Sequence, residues 1–456
     1  MKLQKLTVAN FRGFDQIDLD FAGDVTVIAG VNGVGKSGVL RALTSALSLG
    51  LPKFTVSKEP SLSLNDTDVQ AGKPGLSISV ALGVSAAKVI IDLTRAAPLA
   101  IDKTESLIKR RDDLRFATRE TKKGSKEAEE INDEIRLIEI QLDQTSDISA
   151  VRILPDNPGT DSDELVESLK NDSKQPLVVY YSTSRFLSRL PPSLPNTKRI
   201  SSANAYDKAF NQLEVSLNDF ANWYRVVESD VAVASKDRLF RQLEKAISTF
   251  LPQVCDLALH DSRPPRFSVT KCGQTLFLEQ LSDGERGLLA LVFDLTRRLA
   301  IANPASDNPI AEGVALVLID EIELHLHPKW QRDVLQRFRD TFTACQFVVT
   351  THSPLVLGEV SASCVRFLEF VDGKVSVTVP TEAYGMDANR ILQEFMGASV
   401  RNQKVESEIK TLFELIDQEL FDEAREAIAA LERKLGDDEP ELTRASSLIR
   451  FLEGTE

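Results

Sequence analysis

The chain has 456 residues, a length that predicts roughly two to four domains. Its composition, 42% hydrophobic and 27% charged, is typical of folded globular proteins and excludes collagen, fibrous coiled coils and wholly disordered chains. The net charge of −14 argues against a basic nucleic-acid-binding protein at the scale of the whole chain. However, residues 406–456 carry 15 acidic and 6 basic side chains, so the other 405 residues carry only −5. The remainder of the chain is therefore free to present a local basic surface.

The N-terminal third predicts a sheet followed by a charged helical insertion. Alternating apolar residues predict strands at 3–8 and 16–21, and an apolar β-branched run predicts a buried strand at 25–29. A glycine-rich loop follows, and helical spacing begins at Ser37; residues 51–80 favour loop and short strands. Between 101 and 143 the apolar spacing predicts two helices that form a coiled-coil hairpin, with a break at 124–125. This hairpin is either a solvated insertion or an arm that binds a partner.

The rest of the chain alternates between strand and helix patterns. We expect a polar linker, then strands and helices, and a helical C-terminal region that includes a helix pair between 421 and 452. This alternation predicts an α/β fold with a mostly parallel sheet covered by helices. The predicted segments are a linker at 155–175, a strand at 178–181, helices at 205–227 and 237–250, strands at 266–270 and 275–278, a helix at 285–302, a strand at 314–319, a helix at 329–342, a strand at 346–350 and helices from about 387.

Cysteine spacing and hydropathy indicate the cellular compartment of the protein. The four cysteines are far apart and form no CxxC pair, which predicts buried, reduced thiols. No long apolar segment opens the chain, and the six-residue apolar run at 314–319 is far shorter than the roughly 20 residues that span a bilayer. We therefore expect a cytoplasmic protein that does not bind membranes.

Residues 30–37 match the phosphate-loop pattern G-x-x-x-x-G-K-[ST], with a buried strand before it and a helix after it. In such loops main-chain N–H groups surround phosphate oxygens. Lys36 reaches the β and γ phosphates, and the Ser37 hydroxyl binds Mg²⁺. We expect Asn32, Gly33 and Gly35 to contribute to the same site.

The apolar strand at 314–319 ends in two carboxylates. Asp320 is expected to hold Mg²⁺, and Glu321 to polarise a water molecule for attack on the γ-phosphate. His352 follows the next predicted strand, which would lie beside the acidic one and bring the imidazole to the γ-phosphate. His325 and His327 could ligate a metal, but without a third ligand they are more simply residues of the loop or of a subunit contact.

Residues 281–286, Leu-Ser-Asp-Gly-Glu-Arg, resemble the signature motif of ABC-type ATPases. Together with the phosphate loop, Asp320, Glu321 and His352 they complete that set in its usual order. The start at 10–14, Asn-Phe-Arg-Gly-Phe, resembles the RecF, SMC and Rad50 branch. Four further segments are similar to AAA-labelled, RecF-like bacterial ATPases: 318–331, 350–354, 180–185 and 219–224. These ATPases include those of Septu and retron-associated anti-phage systems. The ATPase of PARIS is a looser relative.

This resemblance implies an ABC-type P-loop ATPase head that uses ATP and Mg²⁺. It implies a homo-oligomer, at least a head-to-head dimer, in which Ser282, Gly284 and Glu285 of one subunit meet the ATP held by another. Arg12 either contacts the nucleotide or braces the phosphate loop, and the glutamine of the family's Q-loop is not identifiable. The expected domains are an N-terminal lobe (1–97), the helical hairpin (98–150), the continued head (151–386) and an acidic helical region (387–456).

The resemblance also points to an effector supplied by another chain. Beyond Pro354 no Asp-x-Asp pair occurs, so we expect no TOPRIM nuclease site in this chain. The first hypothesis is an ATPase that regulates or scaffolds a partner nuclease, of HNH type first and TOPRIM-like second, with DNA or RNA as a further candidate partner. The alternatives are a RecF-like DNA repair accessory ATPase and, third, a transporter ATPase subunit. The C-terminal helix pair is either a cap on the head or a docking surface.

Overall fold

The molecule is described from a computed structural model. It describes residues 1–85, 87–96, 101–120, 131–132, 134–136, 138, 148–157, 161–185, 187–194, 200–210, 215–229, 233–399, 401–436 and 438–453. The predicted hairpin turn at 124–125 and the end of the predicted hairpin, 139–143, lie outside these residues. Within the described part of the chain, two units are separable: Met1–Met386 and Asp387–Glu456.

The strands occupy most of the first unit. In chain order they are β1 (Lys2–Phe11), β2 (Phe14–Asp20), β3 (Val25–Gly30), β4 (Gly75–Val84), β5 (Ala87–Ala96), β6 (Ile148–Pro155), β7 (Leu177–Tyr181), β8 (Val254–His260), β9 (Arg266–Lys271), β10 (Gln274–Phe277), β11 (Ala315–Ile319), β12 (Gln346–Thr350), β13 (Val365–Val371) and β14 (Lys374–Thr378).

Helices connect the strands and make up the second unit. They are α1 (Lys36–Phe54), α2 (Ile101–Glu120), α3 (Ser162–Asn171), α4 (Leu217–Glu228), α5 (Val233–Phe250), α6 (Asp283–Ala302), α7 (Pro309–Glu312), α8 (Pro328–Thr341), α9 (Pro354–Leu357), α10 (Ala388–Glu394), α11 (Gln403–Asp417), α12 (Phe421–Leu435) and α13 (Pro440–Leu452).

The central sheet has the strand order β14-β13-β3-β12-β11-β7. All its neighbouring pairs are parallel except β13 and β14, which form an antiparallel hairpin. β3, β11 and β12 are buried at every position, which explains why their sequences are largely apolar and lack a strict alternation of apolar and polar residues. The structure thus confirms the predicted α/β fold with a mostly parallel sheet.

Helix α1 lies between this sheet and an antiparallel sheet of order β2-β1-β4-β5-β6. Apolar side chains of α1, such as Leu40 and Leu43, share one core with Val80 of β4 and Leu318 of β11. Burying a side chain of this kind contributes about 1.5–3 kcal/mol, so this shared core fixes the helix that follows the phosphate loop. A third, smaller antiparallel sheet has the order β10-β9-β8.

Several local expectations were wrong. The predicted linker contains helix α3, whose N-cap Asp161 accepts a hydrogen bond from the amide of Asp163. The predicted helix at 205–227 begins only at Leu217, because the hydroxyl of Ser216 accepts a hydrogen bond from the amide of Asp219 and so caps the helix there. Strands β5, β6, β8, β13 and β14 were not predicted, and α1 continues to Phe54, inside the segment expected to be loop.

The thiol prediction was wrong for half of the cysteines. All four are free, but Cys255 and Cys272 are exposed in the small antiparallel sheet, whereas Cys345 is buried and Cys364 is partly buried. Burial raises the pKa of the Cys345 thiol to about 12. In the described part of the chain, no helix combines the length and apolarity needed to cross a membrane.

Candidate functional site

The phosphate loop joins β3 to α1 and needs glycine for steric reasons. Gly35, at the N-cap of α1, has φ of 108°, and an added Cβ would lie 2.5 Å from Cζ of Phe14. Both the backbone conformation and the close approach of Phe14 therefore exclude a side chain. Asn32 and Gly33 are exposed at the top of this loop, where a ligand can reach their main-chain N–H groups.

Lys36 is folded back over the loop. Its Nζ donates to the carbonyl oxygens of Gly30 (2.8 Å) and Val31 (3.0 Å) and lies 3.3 Å from Nδ1 of His352. The side chain is 5% exposed. Burial lowers the pKa of Lys36 to about 8, although the nearby carboxylates of Asp320 and Glu321 oppose that shift.

Asp320 follows β11 and meets the phosphate loop. Its Oδ1 accepts from the hydroxyl of Ser37 (3.1 Å) and from the hydroxyl of Thr350 (2.5 Å). The proximity follows from topology, because β3, β12 and β11 are neighbouring parallel strands whose carboxyl ends meet at one edge of the sheet. The Ser37 and Asp320 oxygens are hard donors close enough to share one cation, so they suit Mg²⁺, which usually binds few protein oxygens and keeps water ligands.

Glu321 adopts an unusual backbone conformation at the end of the strand. Its φ is 48°, in the left-handed region, and its amide donates to the hydroxyl of Thr350 at 2.7 Å. The residue is partly buried. Among the described residues, its carboxylate accepts no hydrogen bond, which leaves it free to bind a water molecule.

His352 is held by Glu323, a residue to which the sequence had not assigned a role. Glu323 accepts from the amide of His352 (2.5 Å) and from the hydroxyl of Thr351 (2.8 Å). Burial and the neighbouring Lys36 cation lower the pKa of His352, so its imidazole is neutral near pH 7. Its Nδ1 can therefore accept a hydrogen bond from Lys36 Nζ at 3.3 Å.

The signature residues form a second group at the start of α6. Ser282 is the N-cap, and its amide and hydroxyl donate to Oε2 of Glu285 at 3.0 and 2.8 Å. Glu285 also pairs with Lys271 at 2.7 Å. Gly284 packs on the loop after β11, where an added Cβ would lie 2.5 Å from the carbonyl oxygen of His325. The structure brings Lys36, Ser37, Asp320, Glu321 and His352 together. The signature residues form a separate group, in which Glu285 contacts Ser282 and Lys271 and Gly284 packs against His325.

The remaining candidates have local roles in the structure. Arg12 donates from Nε to Asp68 at 2.7 Å, and its guanidinium lies 5.5 Å from the centroid of the Phe11 ring. The Nδ1 of His327 accepts from the amide of Lys329 and so caps α8. Among the described residues no cluster of three or more His, Cys, Asp or Glu side chains is arranged to hold a metal.

Sequence reasoning missed the residues that hold the acidic turn. Thr350 and Arg185 stand in segments that were singled out only for their resemblance to known ATPases. Arg185 donates to the main-chain carbonyl oxygens of Asp320 and Glu321. Apart from that resemblance, no local pattern marks such residues, because their partners are about 30 and 135 positions away in the chain.

Comparisons with known proteins show what this chain resembles. A family model described as "AAA domain, putative AbiEii toxin, Type IV TA system" matches residues 25–358. The "Retron Vc95 probable ATPase" of Vibrio cholerae serotype O1 biovar El Tor is 25% identical, over 86% of this chain and 78% of that protein. The "Septu protein PtuA" of Bacillus mycoides (strain KBAB4) is 30% identical, over 45% of this chain and 25% of that protein. The SMC head domain from Thermotoga maritima aligns with 83% of this chain and 99% of that structure, at 12% identity and a TM-score of 0.42.

Proposed function

This chain belongs to the AAA-domain family whose model spans residues 25–358, and from that premise we propose that it is an ABC-type, Mg²⁺-dependent ATPase. We further propose that it acts in anti-phage defence, where ATP-bound heads assemble and regulate or scaffold a partner nuclease. The observation that carries the ATPase proposal is the convergence of Lys36, Ser37, Asp320, Glu321 and His352 at one edge of the parallel sheet.

Each of these residues has a distinct role in ATP hydrolysis. The Lys36 ammonium binds the β and γ phosphates. Ser37 and Asp320 would hold Mg²⁺, whose positive charge would stabilise the phosphoryl transfer. Glu321 accepts a proton from water as the water oxygen attacks the γ-phosphorus. The bond from that phosphorus to the bridging oxygen breaks, and ADP and phosphate are released. His352 contacts the γ-phosphate.

We base the proposed oligomer on the position of the signature residues. Ser282 is exposed at the N-terminus of α6, a 20-residue helix, and such a terminus favours an anion through its N–H groups and its dipole. We propose that this terminus meets the γ-phosphate bound by a second copy of the chain, so that two heads close around two ATP molecules.

We base the proposed defence role on the similarity to the named relatives, which belong to retron and Septu systems. We propose a partner nuclease of HNH type first and of TOPRIM-like type second. Native mass of the chain purified together with the product of its neighbouring gene would test this: a stable complex with a nuclease is expected, and a complex with a permease or a repair protein would contradict it.

The ATPase proposal is tested with Glu321→Gln, which keeps the shape of the side chain but removes the base. We expect the turnover number to fall by a factor of about 10² or more, while ATP binding persists and ATP-bound dimers accumulate. Phosphate release, equilibrium ATP binding and native mass are measured, and Glu312→Gln, an exposed acid on α7, is the control. Wild-type turnover in Glu321→Gln would refute the assignment of the base.

A further inference from the structure

The buried guanidinium of Arg185 lies behind the acidic turn. Arg185 is only 8% exposed, and it stands four residues after β7, the strand paired with β11. Its two terminal nitrogens donate to different main-chain carbonyl oxygens, Nη1 to Asp320 and Nη2 to Glu321. Nη1 also lies 3.2 Å from the carbonyl oxygen of Ser182, which fixes the side chain to its own loop.

The turn that Arg185 contacts needs support from outside. Glu321 has a φ of 48°, a conformation that costs a non-glycine residue free energy and persists only when its surroundings hold it. Thr350 holds the amide side of Glu321 through its hydroxyl, and Arg185 holds the carbonyl side. The planar fork of a guanidinium can bind two adjacent carbonyl oxygens at once, which a lysine ammonium cannot reproduce with the same geometry.

The charge of Arg185 suits this position as well. Burial lowers the pKa of Arg185 to about 10, and the carboxylates of Glu323, Asp320 and Glu321 oppose that shift, so the guanidinium is protonated at neutral pH. A fixed cation therefore lies within reach of three carboxylates that would otherwise repel one another.

We propose that Arg185 is a positioning residue that holds the turn carrying Asp320 and Glu321, and so sets the placement of both carboxylates relative to the phosphate loop. This inference rests on the proposed ATPase function for its catalytic consequence. Within the described part of the chain, Arg185 donates hydrogen bonds to main-chain carbonyl oxygens and to neither of the two carboxylate groups. Its effect on hydrolysis is therefore indirect.

The test compares the full-length wild type with Arg185→Lys and Arg185→Gln. We expect both variants to lower the turnover number for Mg²⁺·ATP by about tenfold or more, because a small displacement of a catalytic group is costly. The dissociation constant for ATP, which depends on the phosphate loop, should change by less than about threefold. Without nucleotide, amide hydrogen exchange at residues 320–324 should become faster in both variants.

Arg337→Lys is the matched control, since Arg337 also donates to a main-chain carbonyl, that of Phe250, away from the acidic turn. It should leave turnover and the exchange at 320–324 unchanged. Unchanged exchange and turnover in the Arg185 variants would overturn the proposal. So would a loss of ATP binding that parallels a large drop in melting temperature, since that result shows general destabilisation. If the wild type itself hydrolyses no ATP, the proposed function fails, while the exchange measurement still decides the role of Arg185.

Discussion

At the scale of single residues, the pKa of Lys36 in the phosphate loop should make ATP binding depend on pH. Lys36 is buried against main-chain carbonyls, and its pKa is lowered to about 8, so part of the population loses its charge just above neutral pH. A phosphate ligand favours the charged form. Binding ATP above pH 8 therefore requires Lys36 to take up a proton, which weakens the apparent affinity as the pH rises.

We predict that the ATP dissociation constant is nearly constant below about pH 7.5 and rises above about pH 8, by up to tenfold per pH unit. Calorimetric titration in buffers of different ionisation enthalpy would measure both the affinity and the proton uptake. Lys36→Arg keeps its charge across this range, so any ATP binding that it retains should not weaken with pH. A wild-type affinity that is flat up to about pH 9.5 would contradict the prediction.

Site residues that belong to a local sequence motif could be predicted from the sequence. Residues whose role depends on the pairing of distant strands could not. Lys36 and Ser37 lie in one short motif, and Asp320 ends a recognisable apolar strand, so spacing alone pointed to them. Thr350 and Arg185 act through hydrogen bonds to residues that only the parallel sheet brings near. A single sequence does not specify the registers that create those contacts.

At the scale of elements, a buried ionic network ties α6 to the central sheet. Asp294 of α6 accepts from the hydroxyl of Tyr181, at the end of β7, and pairs with Arg297 and Arg298 at 2.7 and 2.6 Å. Arg298 also donates to the carbonyl oxygen of Ala205. Burial alone would raise the pKa of Asp294, but the two guanidinium groups lower it below its usual range.

We predict that Asp294→Asn destabilises the unit Met1–Met386 by about 3–5 kcal/mol at pH 7, because it leaves two buried guanidinium groups without their counter-charge. In the wild type, the lowered pKa means that this stabilisation is complete above about pH 5 and is lost progressively as the pH falls further. The stability of Asp294→Asn should therefore lack this loss at low pH. Urea unfolding from about pH 7 down to about pH 3 measures both effects.

Asp333→Asn provides the comparison for Asp294→Asn, since Asp333 pairs with Arg337 at a half-exposed site, 49% exposed on the acid side. Its cost should be below about 1 kcal/mol. Equal losses in the two variants would contradict the view that burial makes the Asp294 network important.

Among the strands, those of the buried parallel sheet were the most clearly predictable. β3, β11 and β12 are fully buried and largely apolar, so their positions were correctly predicted. β13 and β14 form a hairpin with exposed, mixed positions, and β8 contains an irregular register between Cys255 and Ala258. Such strands lack a clean alternation, and their formation depends on partner strands.

At the scale of the whole molecule, the chain contains two separately packed units. The second unit has its own apolar core, in which α11, α12 and α13 meet through side chains such as Leu412, Ile428 and Ile449. The acidic excess lies largely in this unit, and the first unit contains all the candidate site residues. Stability and nucleotide binding are therefore expected to be separable.

We predict that Leu412→Ala, at a fully buried position, destabilises the second unit by about 2–5 kcal/mol and leaves the ATP dissociation constant unchanged. Hydrogen exchange across 403–452 should accelerate, while exchange in α1 and β11 stays at the wild-type rate. Lys410→Ala, on the exposed surface of α11, is the control. Loss of ATP binding in Leu412→Ala would show that the two units depend on each other.

Because Glu321 has a left-handed backbone conformation, selection for stability and selection for turnover should favour different residues at this position. Glycine, and to a lesser degree asparagine, adopts a φ of 48° more readily than glutamate. A directed-evolution experiment that rewards only heat resistance should therefore enrich glycine or asparagine at this position, whereas one that rewards turnover should retain glutamate. If Glu321 is the proposed catalytic base, hydrolysis requires an acid here even though its backbone conformation is strained. The residue found at position 321 after selection would then show whether stability or turnover was selected.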